Sequence, residues 1–310
     1  MISIAMATYN GEKYIEQQLD SILTQSYTDF ELIICDDCSK DRTTEIIKTY
    51  SDSRIKLYVN NENLGFKNNF QKAVSLCKGD YIAFCDQDDI WTSDHLEYLL
   101  TNIENNDLIC ANAELIDSCG KVMNITTKNC LGDFSFSQNK SDLFNKLLHG
   151  NFVQGASTLI TKQLANKVFP IPENIDFHDW WAASIACLNY GCTYKDKIIL
   201  QYRQHENNVT TNTKIKLLSS IKNAIQKRKV KINEYSKKCA YATALQHYCK
   251  NEPEISAVQS AKEYYDNLCK KKYFKAIKYF IHNYKNIFWV RNPSLKLFLP
   301  RFCKVFIFHI

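Results

Sequence analysis

Short apolar runs alternate with helical patterns along the first half of the chain. "ISIAMA" (2–7) is a buried strand that stops at Thr8-Tyr9-Asn10-Gly11, and Ile15, Leu19, Ile22 and Leu23 then share one helical face. "FELIICDD" (30–37) is a second strand, followed by Ser39 or Asp41 as a helix cap and by "TTEIIKTY". "RIKLYVN" predicts a third strand, Phe66, Phe70, Val74 and Cys77 a helix, and "GDYIAFCD" (79–86) a fourth strand. A further helix is expected from about Asp94, leading into "DLICANAEL". Strand–helix alternation of this kind predicts an α/β fold, a mainly parallel sheet with helices on both faces.

Beyond residue 107 the periodicity loosens. "NFVQGASTLITKQLANKVF" predicts a strand entering a helix, "HDWWAASIACLNYG" a helix with His178 and Asp179 near its start, and "KIILQYRQH" a strand. After residue 211 the pattern is Lys-rich and helical. The expected division is therefore a domain over 1–211 and a basic, aromatic-rich helical region over 212–310.

Charge sharpens that division. The 310 residues carry a net +6, but the stretch from Lys214 onward is +16 and the remainder −10. An acidic front and a basic, aromatic back imply two different surfaces. Tyr273, Phe274, Tyr279, Phe280, Phe288 and Trp289 among lysines suit a helix in an anionic membrane interface. The competing reading packs that apolar side on a core, and no RNA- or DNA-binding module is recognisable. No run of about 18 apolar residues predicts a spanning helix. The start lacks a basic leader pattern, so the catalytic part is expected in the cytoplasm, peripheral on the inner face of the membrane. Without secretion the sequons at Asn124 and Asn208 carry no meaning. The 13 cysteines form no regular frame, and "CDDC" (35–38) places two acids between its thiols, so buried or incidental thiols are expected.

The chemistry gathers at strand ends, where parallel sheets collect their ligands. "FCDQDDIW" sets Asp86, Asp88 and Asp89 directly after the fourth strand. Carboxylates at i and i+2 on an extended strand end project to one side, so Asp86 and Asp88 can approach one divalent cation, Mg2+ or Mn2+. The bland alternative is a solvated loop whose acids cap the next helix. Asp36-Asp37, at the second strand end, can accept from a base N–H or a ribose hydroxyl. No G-x-G-x-x-G or G-K-[ST] follows the first strand, which argues against dinucleotide and P-loop sites.

Taken together, "IAMATYNGEKYIEQQLDSILTQSYTDFELIICDDCSKDRTTEII", "NENLGF", "KGDYIAFCDQDDIW", "HDWW" and "YRQHENNVT" resemble family 2 glycosyltransferases over roughly residues 1–210. These are inverting enzymes with the GT-A fold that use nucleotide-sugar donors. "DQDDIW" and "YRQH" point to the rhamnosyltransferase-like enzymes of bacterial surface-polysaccharide assembly. The resemblance implies that Thr8, Tyr9, Asp36, Asp37 and Asp86 line the nucleotide site. It makes Asp88, Asp86 and His205 the metal ligands and Asp179 the catalytic base. Asp89, Trp180, Trp181 and Arg203 become candidate substrate contacts, with one of the two adjacent tryptophans expected in the core. His178 departs from the acid often found before the base, and a charge there would shift the base's pKa. The implied partners are a UDP- or dTDP-sugar and a glycan or lipid-linked acceptor. A nucleotidyltransferase is the enzymatic rival, although "ATYNGEKY" offers only Lys13 for a phosphate loop. A non-catalytic binding module on the same fold is the other alternative.

Overall fold

The computed structural model describes residues 1–130, 139–206 and 224–288, with 302, 305 and 306. Asn208, Trp289 and the expected boundary at 211/212 lie outside them. The described residues divide into two units, one of 1–130, 153–171 and 176–206, the other of 139–152, 172–175 and the described positions from 224 on.

The first unit is built on one nine-stranded sheet. Its strands are β1 (Ile2–Thr8), β2 (Phe30–Asp36), β3 (Ile55–Val59), β4 (Tyr81–Cys85), β5 (Ile90–Trp91), β6 (Leu108–Ile116), β7 (Val122–Thr126), β8 (Thr158–Thr161) and β9 (Cys192–Arg203). They run in the order β3-β2-β1-β4-β8-β6-β9-β5, with β7 beside β6. The β3-β2-β1-β4 half is wholly parallel, as the alternation predicts. The other half is mixed, because β8 runs antiparallel to both β4 and β6 while β9 runs parallel to β6. The sheet is therefore mixed rather than mainly parallel. The difference arises in β5, β7 and β8, strands of two to five residues too short to carry a period.

Every residue of β2 is buried and β1 is nearly so, which requires cover on both faces. The helix Phe66–Leu76 buries Phe70, Ala73 and Val74, one helical face as the spacing predicts. Ile15, Leu19 and Ile22 of the helix Ile15–Leu23 join Ile4, Met6, Leu32 and Ile34 in one core cluster. A further helix, His95–Asn102, follows Asp94, and Leu96 and Leu99 enter the same cluster.

The second unit contains the helices Lys140–Leu147, Ala224–Leu245, Glu252–Cys269 and Tyr273–Phe288. Asn251 and Glu254 close a reciprocal capping box at the start of Glu252–Cys269, fixing that helix end. Most of the tail aromatics that sequence assigned to a membrane turn inward here. Phe280 is buried, while Tyr273, Tyr279 and Phe288 pack against the same cluster as Tyr264, Tyr265 and Leu268. Tyr279 and Tyr265 also hold the buried His149 from either side, at 3.3 and 2.7 Å. The helix period accounts for this packing, since three of every seven positions suffice to build a core face. Phe274 (93% exposed) and Ile281 (54%) stay outside. Among the described residues no helix is long and apolar enough to cross a membrane.

Candidate active site

β1, β2 and β4 are neighbours in register, so their carboxyl ends meet. Thr8 and Asp36 face each other across the β1–β2 ladder, and the Thr8 hydroxyl donates to Asp36 at 2.9 Å. The backbone N–H and hydroxyl of Ser39 donate to the same carboxylate at 2.9 and 2.6 Å. Asp37 accepts from Asn60 Nδ2 and Leu64 N at 2.8 Å each and from Gly65 N at 2.9 Å. The stretch "NENLGF" is thus a loop wrapped around one carboxylate, with Gly65 at φ +79 where a side chain would be strained.

Thr8, Asp36 and Asp37 are all buried. Their carboxylate and hydroxyl oxygens are held by these internal hydrogen bonds at the ends of β1 and β2. Tyr9, 46% exposed, is the residue at this strand end that presents its side chain. In "CDDC", Cys35 is buried and its thiol is pushed up to about 11 by burial.

The acidic turn after β4 is organised differently for each carboxylate. Asp86 is half-buried, and its pKa is raised to about 7 by burial first, then by the charges of Asp88 and Asp179. Asp88 is 13% exposed at its side chain, and its Oδ2 lies 2.6 Å from His205 Nε2. The His205 ring stacks on Tyr14 with centroids 5.1 Å apart.

Asp89 is fully buried, accepts the Arg203 backbone N–H at 2.9 Å, and is held well above the usual carboxylate range by burial and by its acidic neighbours. Arg203, also buried, donates from Nε to the Asp88 carbonyl and from Nη2 to Gln17 Oε1, both at 2.7 Å. Its guanidinium sits over the Tyr14 ring at 4.6 Å. Asp89 and Arg203, both candidate substrate contacts from sequence, are buried and bonded to the chain itself. They fasten the acidic turn to the end of β9.

Asp179 is the second residue of the helix His178–Ile185, half-buried, with its Oδ1 accepting the Trp180 N–H at 2.7 Å. Its charge is among the smaller causes that raise Asp86, in the turn after β4. His178 does not supply the neighbouring charge expected from sequence. Its ring is enclosed by Phe66, Phe70 and Phe84, at centroid distances of 5.7, 4.1 and 4.8 Å. Burial lowers its pKa to about 3, so it is neutral. Of the two tryptophans, Trp181 is wholly buried and belongs to the core, while Trp180 is half-buried. The sugar-contact expectation for Trp181 is corrected accordingly.

Three residues at this site carry no sequence signal of their own. Gln17 and Tyr14 lie far along the chain from the Arg203 they contact, and Gly155 matters only by proximity. A Cβ there would stand 3.2 Å from His178 Nε2 and 3.6 Å from Asp179 Cβ.

The donor set fits a divalent cation of the Mg2+ or Mn2+ type. Asp86, raised by burial and then by its acidic neighbours, and Asp88, with His205 beside it, offer carboxylate oxygens as ligands. Among the described residues no group of three or more His, Cys, Asp or Glu is arranged to cage an ion. Such ions are commonly held by one or two carboxylates with substrate phosphates and water completing the shell.

The glycosyl transferase family 2 model matches residues 3–169, more than half of the chain. The chain belongs to glycosyl transferase family 2. Among its relatives, the dTDP-rhamnosyl transferase RfbG of Shigella flexneri is 32% identical over 245 residues, 73% of this chain and 82% of that one. The Escherichia coli UDP-Glc:alpha-D-GlcNAc-diphosphoundecaprenol beta-1,3-glucosyltransferase WfgD is 29% identical over 68% of this chain and 80% of its own. S. aureus TarS in complex with UDP-GlcNAc superposes with a TM-score of 0.62 at 17% identity, covering 86% of this chain and 72% of that chain. The Pyrobaculum calidifontis mannosyltransferase PcManGT, in complex with GDP-Man and Mn2+, gives 0.57 at 12% identity over 99% of this chain and 81% of its own. These two structures share the α/β GT-A fold of this family 2 member.

Asp86 gives a stability test of the site. Its folded-state pKa is raised, so its contribution is fully present below the ordinary value of 3.8 and is lost as pH rises through about 7. In chelator, Asp86→Asn should therefore leave stability near pH 4 almost unchanged and raise it above pH 7 by about 1–3 kcal/mol. Thermal unfolding at both pH values measures this, and an equal effect at the two would remove the account of a buried carboxylate among acidic neighbours.

Proposed function

We propose that this chain moves a sugar from a nucleoside-diphosphate donor to a hydroxyl of a glycan or lipid-linked acceptor in surface-polysaccharide assembly, inverting the anomeric carbon. The observation that carries the proposal is the acidic turn after β4, with Asp88 Oδ2 2.6 Å from His205 and its carbonyl held by Arg203, in a chain whose residues 3–169 match the family. The names of RfbG and WfgD favour a pyrimidine donor, a dTDP- or UDP-sugar, with rhamnose as the sugar first tried.

In this reading Tyr9 lines the nucleotide pocket, whose shape is set by Asp36, Asp37 and Thr8. Asp88 and Asp86 would hold the cation with His205 beside them. A divalent cation bound there would supply a Lewis acid for the negative charge of the departing diphosphate. Asp179 accepts the proton of the acceptor hydroxyl as that oxygen attacks the anomeric carbon. Its place in the first turn of the helix, with Oδ1 accepting the Trp180 N–H, restrains its side chain. Trp180 offers an aromatic face for a sugar ring. A single base and a single displacement give inversion, so proton NMR of the first-formed product should show the anomer opposite to the donor. Retention would sink the single-displacement mechanism.

The acceptor class motivates a peripheral membrane position. No acidic residue follows Asp266, whereas Lys270, Lys271, Lys272, Lys275, Lys278 and Lys285 do. Phe274 and Ile281 are exposed on the same helix as the last three. We expect the chain to co-sediment with vesicles containing anionic lipid and to lose about 30-fold in affinity when Lys275 and Lys278 become Gln, at roughly 1 kcal/mol per charge near the surface. Unchanged sedimentation would remove the membrane role.

A further inference from the structure

Between Asp86 and Asp88 stands a residue that the chemistry above does not use. Gln87 Oε1 accepts the Tyr9 backbone N–H at 2.9 Å, and Gln87 Nε2 donates to the Tyr9 carbonyl at 3.1 Å. Both backbone groups of Tyr9 are thus bonded to one side chain. The location explains why. The β1–β4 ladder ends at Met6 opposite Cys85, and the β1–β2 ladder ends at Thr8 opposite Asp36. Tyr9 is the first residue past both. The strand ends part where the acids stand, and the Gln87 amide replaces the missing peptide of the neighbouring strand.

Gly11 confirms how closely this amide is housed. A Cβ built there would lie 2.3 Å from Gln87 Oε1 and 2.6 Å from its Cδ. Gly11 has no positive φ that would itself require glycine, so the space for Gln87 is what constrains the position. Gln87 stands in the bend that follows β4, where its amide reaches the backbone of Tyr9 just past the end of β1.

We propose that Gln87 is a positioning residue that ties the nucleotide-facing Tyr9 to the Asp86–Asp88 pair, so that donor and cation are held in one register. The inference rests on the glycosyltransferase reading of the site. A displacement of either wall by a fraction of an ångström misaligns diphosphate and ion together.

The test is a cycle of Gln87→Ala, Gly11→Ala and the double variant, read in donor turnover at varied Mn2+ against UDP- and dTDP-sugars. Each single variant is expected to raise the donor KM and the half-saturating Mn2+ concentration together, by about tenfold, with kcat much less affected. The double variant should be no worse than Gln87→Ala, because a Cβ at position 11 then meets empty space. Gln87→Glu keeps an acceptor for the Tyr9 N–H but sets a carboxylate against its carbonyl, and should fail as Gln87→Ala does. Hydrogen exchange at the Tyr9 amide should accelerate in Gln87→Ala, a readout independent of turnover. Additive penalties, or singles with wild-type KM and Mn2+ dependence, overturn the inference while the wild-type activity leaves the parent reading intact. A wild-type chain with no Mn2+-dependent donor turnover overturns both.

Discussion

Asp179→Asn is expected to lower kcat for sugar transfer by about 10²- to 10⁴-fold, the range for removing a positioned general base. Donor binding should survive, because Asn keeps the size of the side chain and can still accept the Trp180 N–H at the helix start. The loss should therefore fall on kcat and kcat/KM alike, the signature of a contact made only in the transition state. The same substitution removes one of the charges that raise Asp86, so the variant should unfold at a temperature no lower than wild type above pH 7. Steady-state transfer assays with a matched unfolding curve measure both. Wild-type transfer by Asp179→Asn would mean another group takes the proton.

Asp88→Ala should be comparably severe, about 10³-fold in turnover, and should abolish the dependence on divalent cation. The reason is its position rather than its charge alone. Asp88 is partly exposed beside His205, its backbone carbonyl is clamped by Arg203, and Asp86 stands two residues before it. Ala keeps the carbonyl and therefore the Arg203 clamp, so the loss isolates the carboxylate. Removing it also lessens the repulsion on Asp86 and Asp89, whose pKa values both rise partly because of it. A dead enzyme with undiminished thermal stability is the expected pair of results. Mn2+ titration of turnover and differential scanning calorimetry read them, and retained metal-dependent activity would relocate the metal site.

The parts of this site that sequence made legible share one physical property: they are local. Ile2–Thr8 and Phe30–Asp36 are largely apolar runs ending in polar residues, and Asp86 and Asp88 lie two positions apart in the turn directly after β4. Asp179 was placed through resemblance, since an acid in the first turn of a helix is otherwise a common capping choice. What sequence could not show was direction. Asp36 and Asp37 stand at the strand end as expected, yet hydrogen bonds from Ser39, Asn60, Leu64 and Gly65 turn both carboxylates inward. Asp89 and Arg203 meet across 114 positions of chain, a pairing no local pattern encodes.

The tail carries the same lesson. Aromatics among lysines read as a membrane face, but Phe280 and Tyr284 lie four apart on one side of a helix and close a core instead. Phe274 and Ile281 alone of the exposed large apolar residues on that helix remain for a partner among the described residues.

The central claim is that the acidic turn after β4 and Asp179 form one cation-assisted sugar-transfer site. Its most direct measurement is release of nucleoside diphosphate by the purified chain from a panel of UDP-, dTDP- and GDP-sugars, with Mn2+ and with chelator, beside Asp88→Ala. The account predicts release from a UDP- or dTDP-sugar that requires Mn2+ and disappears in the variant. Release that is equal in chelator, or equal in Asp88→Ala, would contradict it.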